Sequence, residues 1–274
     1  MTAPSFDRTA VEAHVCLLHT LAAGCTGDLT LLVVQERGRP QTRRFAVGDV
    51  AGMVEGVMGF DGVPGANVFS PYCTMRADLE PGRKGSETDV RHVLAAVEDV
   101  DADKGERPSI PLEPSYIGES SPGNSQRVHV FPMPLAASEA KPALVALNLA
   151  TGGDTAERDC SHVWRIAGTT NFPTKAKLAR GRDPIPAAVK IVKPFDGSRT
   201  DPRDILGLKP LKTPSAAKPQ RASSAAKATP DMARPATAPT RARNGTFGRK
   251  VRPSLTRARR TSRGPASKLI ARRA

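Results

Sequence analysis

Val93-Leu94-Ala95-Ala96-Val97-Glu98-Asp99-Val100-Asp101 is the stretch on which the reading of this chain turns. Five apolar residues in a row, rich in β-branched and small side chains, predict a buried strand. The strand then ends in alternating aspartates, with Ala102-Asp103 following. Residues i and i+2 of a strand share a face, so Asp99 and Asp101 point the same way, roughly 7 Å apart at Cα. An isolated buried carboxylate is costly. Two that converge at a strand edge suit a hard divalent cation such as Mg²⁺ or Mn²⁺, which prefers oxygen ligands. The alternative for Asp-x-Asp alone is a solvated acidic turn.

Working outward, residues 9–23 read as an amphipathic helix with Val11, Val15, Leu18 and Ala22 on one stripe, capped by Thr9 or Asp7. Strands are predicted at Leu29–Gln35, Arg44–Val47 and Asn67–Phe69, with a helix after Asp49 between the last two. Residues 77–89 are polar and read as loop. Beyond the acidic stretch, Tyr116–Glu119 and Arg127–Phe131 form a hairpin around a turn at Ser120–Ser125. A helix capped by Ser138 carries Pro142 in its first turn and stops at Gly152-Gly153. Val163–Ile166 is the last strand. This mixture predicts an α+β sheet domain preceded by a smaller α/β portion.

Charge divides the chain sharply. Residues 201–274 hold 19 Lys and Arg against 3 Asp and Glu, while residues 1–200 hold 22 against 24. The whole excess of +14 therefore sits in the tail. From about residue 205 the tail is built from Ala, Pro, Ser, Lys and Arg with Phe247 as its aromatic, and such a segment cannot offset its ordering entropy. It is expected to be disordered: either a nucleic-acid-binding arm working by counterion release or a solvated extension. No apolar run reaches the length of a membrane span. Cys16, Cys25, Cys73 and Cys160 show no metal-ligand spacing, and the first residues lack a signal pattern. A cytoplasmic location is expected.

Three blocks carry candidate chemistry. Glu98–Asp103 supplies carboxylates. Glu119-Ser120-Ser121-Pro122-Gly123-Asn124-Ser125-Gln126 places small residues at a strand turn, where backbone N–H groups can approach a phosphate; an ordinary hairpin turn is the alternative. Asp159-Cys160-Ser161-His162-Val163-Trp164-Arg165-Ile166-Ala167-Gly168-Thr169-Thr170-Asn171 brings a carboxylate into a strand whose one charged residue is Arg165. An arginine facing a cleft suits triphosphate recognition, or else a salt bridge to the acidic block.

Together with Asn67-Val-Phe-Ser-Pro, Met75-Arg76-Ala-Asp78-Leu79, Gly85 and Gly181-Arg182, these blocks resemble the archaeo-eukaryotic primase superfamily, and within it the RepB-like DNA primase domain of bacterial plasmids and mobile elements. The resemblance spans roughly residues 30–195. It implies an RRM-like catalytic core over 91–204, a smaller N-terminal α/β unit over 1–90, and the basic tail over 205–274. It further implies two divalent ions, Mg²⁺ or Mn²⁺, held by Asp99, Asp101 and Asp159. Nucleoside triphosphates would be bound by Ser120, Gly123, Asn124, Gln126, His162 and Arg165. The implied partners are a single-stranded DNA template and a replicative helicase, with no membrane. Gln126 stands where the family usually has histidine, and Ala167 where proline is frequent.

The activity so implied is a two-metal nucleotidyltransferase, a primase or primase-polymerase. A replication protein that binds nucleic acid with weakened or absent catalysis is the alternative. A rolling-circle nuclease is disfavoured: it needs paired histidines and a nucleophilic tyrosine, and Tyr72 and Tyr116 both fall on sheet segments.

Overall fold

The computed structural model describes residues 4–36, 38–101, 110–179, 181 and 183–211. Helix α1 (Arg8–Leu21) starts at Asp7, whose carboxylate accepts from the Ala10 N–H at 3.2 Å. Strands β1 (Asp28–Val34) and β2 (Gln41–Ala46) form a hairpin. Asp49 caps α2 (Val50–Met58) through the Gly52 N–H at 3.0 Å. Strands β3 (Asn67–Pro71) and β4 (Cys73–Met75) follow, separated by Tyr72. The apolar run and its aspartates lie on β5 (Val90–Val100). Next come β6 (Tyr116–Ser121), β7 (Asn124–Leu135), α3 (Ala137–Thr151) and β8 (Val163–Arg165). The chain then builds β9 (Thr170–Asn171), α4 (Lys175–Leu178), β10 (Ala187–Ala188), β11 (Lys190–Lys193) and α5 (Pro202–Leu206).

The described residues form a nine-stranded antiparallel sheet ordered β11-β6-β7-β5-β4-β1-β3-β8, with β2 also pairing β1. Both faces of β5 are covered, so it reads as a continuous apolar run rather than an alternation. On one face Val15 and Leu18 of α1 and Val57 of α2 pack with Leu31, Val68 and Trp164. On the other, Leu147 of α3 and Ile205 of α5 pack with Val93 and Phe131. Each such fully buried side chain contributes about 1.5–3 kcal/mol. Gly168, at φ +83°, lies against the N-terminus of α1: its carbonyl accepts from the Asp7 N–H at 2.8 Å, and a Cβ there would collide with the Asp7 carbonyl.

The α+β class matches expectation, and four details differ. The boundary expected at 90/91 falls inside β5, and the sheet runs through it: β4 pairs with β5, while β8 from the second half pairs with β3. The tail was expected from residue 205, but Ile205 is fully buried, Leu208 packs beside it, and the Leu211 N–H donates to the Leu149 carbonyl at 2.9 Å. Residues 212–274, including the rest of the expected disordered tail, lie outside the described residues. Helix α3 begins at Ala137, not after Ser138, because Glu139 reaches back to the Ala136 N–H at 3.1 Å. Pro142 consequently sits in its second turn, where the bond to the Ser138 carbonyl is missing. The hairpin turn is also tighter than expected, just Pro122-Gly123. Gly123 takes φ +77°, the left-handed conformation that follows proline in a type II turn.

Candidate active site

The register of β5 on β7 orients the acidic block. Val97 lies opposite Val128, Glu98 opposite Arg127, Asp99 opposite Gln126 and Val100 opposite Ser125. Val97 and Val128 belong to the α1/α2 core, so Asp99 and Gln126, two residues on, share that face. Asp101 follows one residue beyond the strand and is buried. Asp103 lies outside the described residues. Glu98 points to the opposite face, where it is buried with Arg127 Nη1 3.8 Å from its Oε1.

The hairpin turn stands beside this end of β5. Ser120 and Asn124 are buried, and Gly123 is exposed at the tip. The Asn124 amide donates to Ser121 Oγ at 2.7 Å, and the Ser120 carbonyl accepts from the Asn171 amide at 2.6 Å. Asn171 thereby ties β9 to the turn. Between them opens a cavity of about 560 Å³ lined by Glu119, Ser121, Asn124, Asn171, Asp183 and Lys190, among others. Asn171, Asp183 and Lys190 were absent from the expected site residues. Asn171 lies within the third block without a distinguishing signal, Asp183 is on the segment before β10, and Lys190 is on β11, a strand that sequence patterning does not reveal.

The third block is placed differently from expectation. Asp159 follows a 3₁₀ turn (Thr155–Arg158) that packs on α3. Its Oδ1 accepts from the Ser161 N–H at 2.7 Å and Ser161 Oγ at 2.9 Å. The Ser161 carbonyl in turn accepts from Lys84 Nζ at 2.7 Å. Cys160 anchors this loop in the α3/α5 core, and burial pushes its thiol up to about 12. Asp159 also lies near Cys73 of the same core, whose thiol is pushed up chiefly by burial. Asp99 faces the other core. Among the described residues no group of three His, Cys, Asp or Glu side chains is arranged to hold a metal ion. Asp99 with Asp101 is the candidate pair. Carboxylate oxygens in a pair fit a hard divalent ion.

Arg165 lies on β8, four strands from β5 in the sheet order, and His162 immediately precedes that strand. His162 packs edge-on against Trp164, ring centres 4.5 Å apart, and burial, then Lys84, lower its pKa so that it is neutral at pH 7. Trp164 points into the α1/α2 core, and Arg165, its neighbour on β8, points to the other face. There its guanidinium lies 4.8 Å over the Phe69 ring and donates to Asn67 Oδ1 at 2.7 Å.

Residues 79–193 match the RepB DNA-primase N-terminal domain. No curated protein matches the chain. Among solved structures, the AEP domain of the primase-polymerase of cyanophage S-2L is 18% identical, with a TM-score of 0.49 over 76% of this chain and 100% of that one. Primase RepB′ is 17% identical, with a TM-score of 0.45 over 70% of this chain and 60% of that one. The catalytic domain of primase RepB′ in complex with initiator DNA is 18% identical, with a TM-score of 0.42 over 73% and 92%. No helix among the described residues is long and apolar enough to cross a membrane.

Proposed function

From the match of residues 79–193 to the RepB DNA-primase N-terminal domain, we propose that this chain is a metal-dependent nucleotidyltransferase that extends strands on a single-stranded DNA template. The plasmid or mobile-element setting and a cooperating helicase belong to the same proposal. The observation that carries it is Asp99, on the face shared with Gln126 and two residues before Asp101, next to a hairpin turn that borders a cavity.

Asp99 and Asp101 would hold Mg²⁺ or Mn²⁺. Bound there, the ion would lower the pKa of a primer 3′-hydroxyl and offset charge on the departing pyrophosphate. The remaining roles fall to the chain itself. The cavity of about 560 Å³ has the size of a small-molecule site. Lys190 brings a cation to its wall, and Ser121, Asn124 and Asn171 bring hydrogen-bonding groups. The Gly123 backbone, free of a Cβ, can approach a phosphate closely. Gln126, opposite Asp99, can donate an amide hydrogen to a phosphate oxygen but adds no charge. Asp159 enters as the anchor of the third-block loop through Ser161, and His162 as a neutral packing partner of Trp164.

A specific residue favours the second reading, a DNA-binding protein without catalysis: Gln126, opposite Asp99, carries no charge. Nucleotide incorporation on a primed single-stranded template separates the two. The proposal expects extension with Mg²⁺ or Mn²⁺ and none in chelator. Absence of extension with either metal would leave the binding reading.

A further inference from the structure

We propose that the outer face of the β2-β1-β3-β8 side of the sheet is a stacking platform for bases of single-stranded DNA, centred on Phe69 and Arg165. The inference rests on the reading that this chain works on single-stranded DNA. It gives Arg165 a template role in place of the triphosphate role expected from the sequence.

The register lays four side chains in one row. Thr42 lies opposite Leu32, Leu32 opposite Phe69, and Phe69 opposite Arg165. Their chain neighbours Leu31, Val33, Val68 and Trp164 point the other way, into the α1/α2 core. The four are half-buried, and neither Leu32 nor Phe69 packs against either core. An apolar strip with a phenyl ring thus lies outside both cores and is partly open to solvent.

The arginine is preorganised on that ring. Its Nη1 donates to Asn67 Oδ1 at 2.7 Å, and the same oxygen accepts from the Phe172 N–H at 2.9 Å. The Asn67 amide nitrogen closes the clamp on the Phe172 carbonyl at 3.2 Å. The guanidinium is therefore fixed 4.8 Å above Phe69. A planar cation stacked on an aromatic ring offers a second flat surface and a positive charge together. Lys175 of α4 stands beyond the β1 end, paired with Glu36 at 3.0 Å. Bases stack on aromatic rings and arginine planes whatever their sequence, and phosphates seek the cation. A phenyl beside a guanidinium, with a hydroxyl at the far end of the row, suits a nucleotide strand better than the broad apolar face a protein helix would need.

The test compares binding of two fluorescent oligomers of about twelve nucleotides, one of thymidine and one abasic throughout, by anisotropy in chelator and without nucleoside triphosphate. The full chain is used. The basic tail binds phosphates in both oligomers alike, so the ratio of their affinities isolates stacking. Phe69→Ala should lower affinity for the thymidine oligomer by about 5- to 100-fold, leave the abasic oligomer nearly unchanged, and preserve the salt slope. Phe69→Trp should restore binding. Should Phe69→Ala fail to fold in a thermal melt, photocrosslinking of 5-iododeoxyuridine DNA to the wild-type chain decides: a crosslink at Phe69 supports the platform, and its absence overturns it. A folded Phe69→Ala chain with an unchanged affinity ratio also overturns it. Loss of nucleotide incorporation with the affinity ratio intact would remove the enzymatic reading and leave the platform standing.

Discussion

Mild acid should destabilise this fold through its buried histidines. His14 and His129 are buried, and burial lowers the pKa of each to about 4 from 6.5. Arg127 lowers His129 further, while Glu113 opposes the shift. His14 Nδ1 stands 3.0 Å from the Tyr116 hydroxyl, which can donate to it only while that nitrogen is unprotonated. Each imidazole binds its proton more weakly in the folded chain than in the unfolded one. Stability is thus fully present above pH 6.5 and is lost as pH falls toward 4. At about 1.36 kcal/mol per unit, each histidine has lost about 2 kcal/mol by pH 5, or about 4 kcal/mol for the pair. His19 and His162 are lowered too, chiefly by burial, and act in the same direction. The carboxylates of Asp196 and Asp201, held at about 2 by hydrogen bonds from Ser198 and Arg203, lose their contribution only below this window. Urea unfolding at pH 7.5 and pH 5 measures the difference. His129→Leu should have a smaller pH dependence than wild type. Equal stability of wild type at both pH values would refute the argument.

Gly168→Ala should destabilise by about 1–3 kcal/mol or more, because it strains a positive φ and strikes the Asp7 carbonyl; a urea midpoint checks it. Truncation after residue 211 should leave the melting temperature of the body unchanged and weaken its salt-dependent DNA affinity, whereas truncation after residue 200 should destabilise it by about 2–5 kcal/mol, the usual range for losing one large core side chain such as Ile205. Gln126→His should maintain or raise nucleotide incorporation, since it sets a donor that can carry charge opposite Asp99.

What the sequence made legible was local. The apolar run at 93–97, the Asp7 and Asp49 caps and the alternation of Trp164 and Ile166 against Arg165 depend on near neighbours, and each appears in the fold. The features it did not convey are long-range. Nothing in the spacing of β3 and β8 says that they pair, so Arg165 could not be seen to lie over Phe69, 96 positions away in the chain. Asp159 stood out by its order along the chain, while its Ser161 contacts and the buried Cys160 that anchor its loop were not legible in the spacing. The short strands β9, β10 and β11 carry too few residues for a period, and with them went Asn171 and Lys190 as cavity walls. Ser138 resembled a cap, yet Glu139 capped from inside the helix.

The central claim is that Asp99 and Asp101 form the reacting centre. Its most direct test is Asp101→Ala, assayed for Mg²⁺- or Mn²⁺-dependent incorporation on a primed single-stranded template alongside a thermal melt. Asp101 lies one residue beyond the strand and belongs to neither apolar core, so its replacement should leave the chain folded. The account predicts loss of incorporation in a chain that still melts cooperatively. Wild-type incorporation matched by a folded Asp101→Ala chain would contradict it.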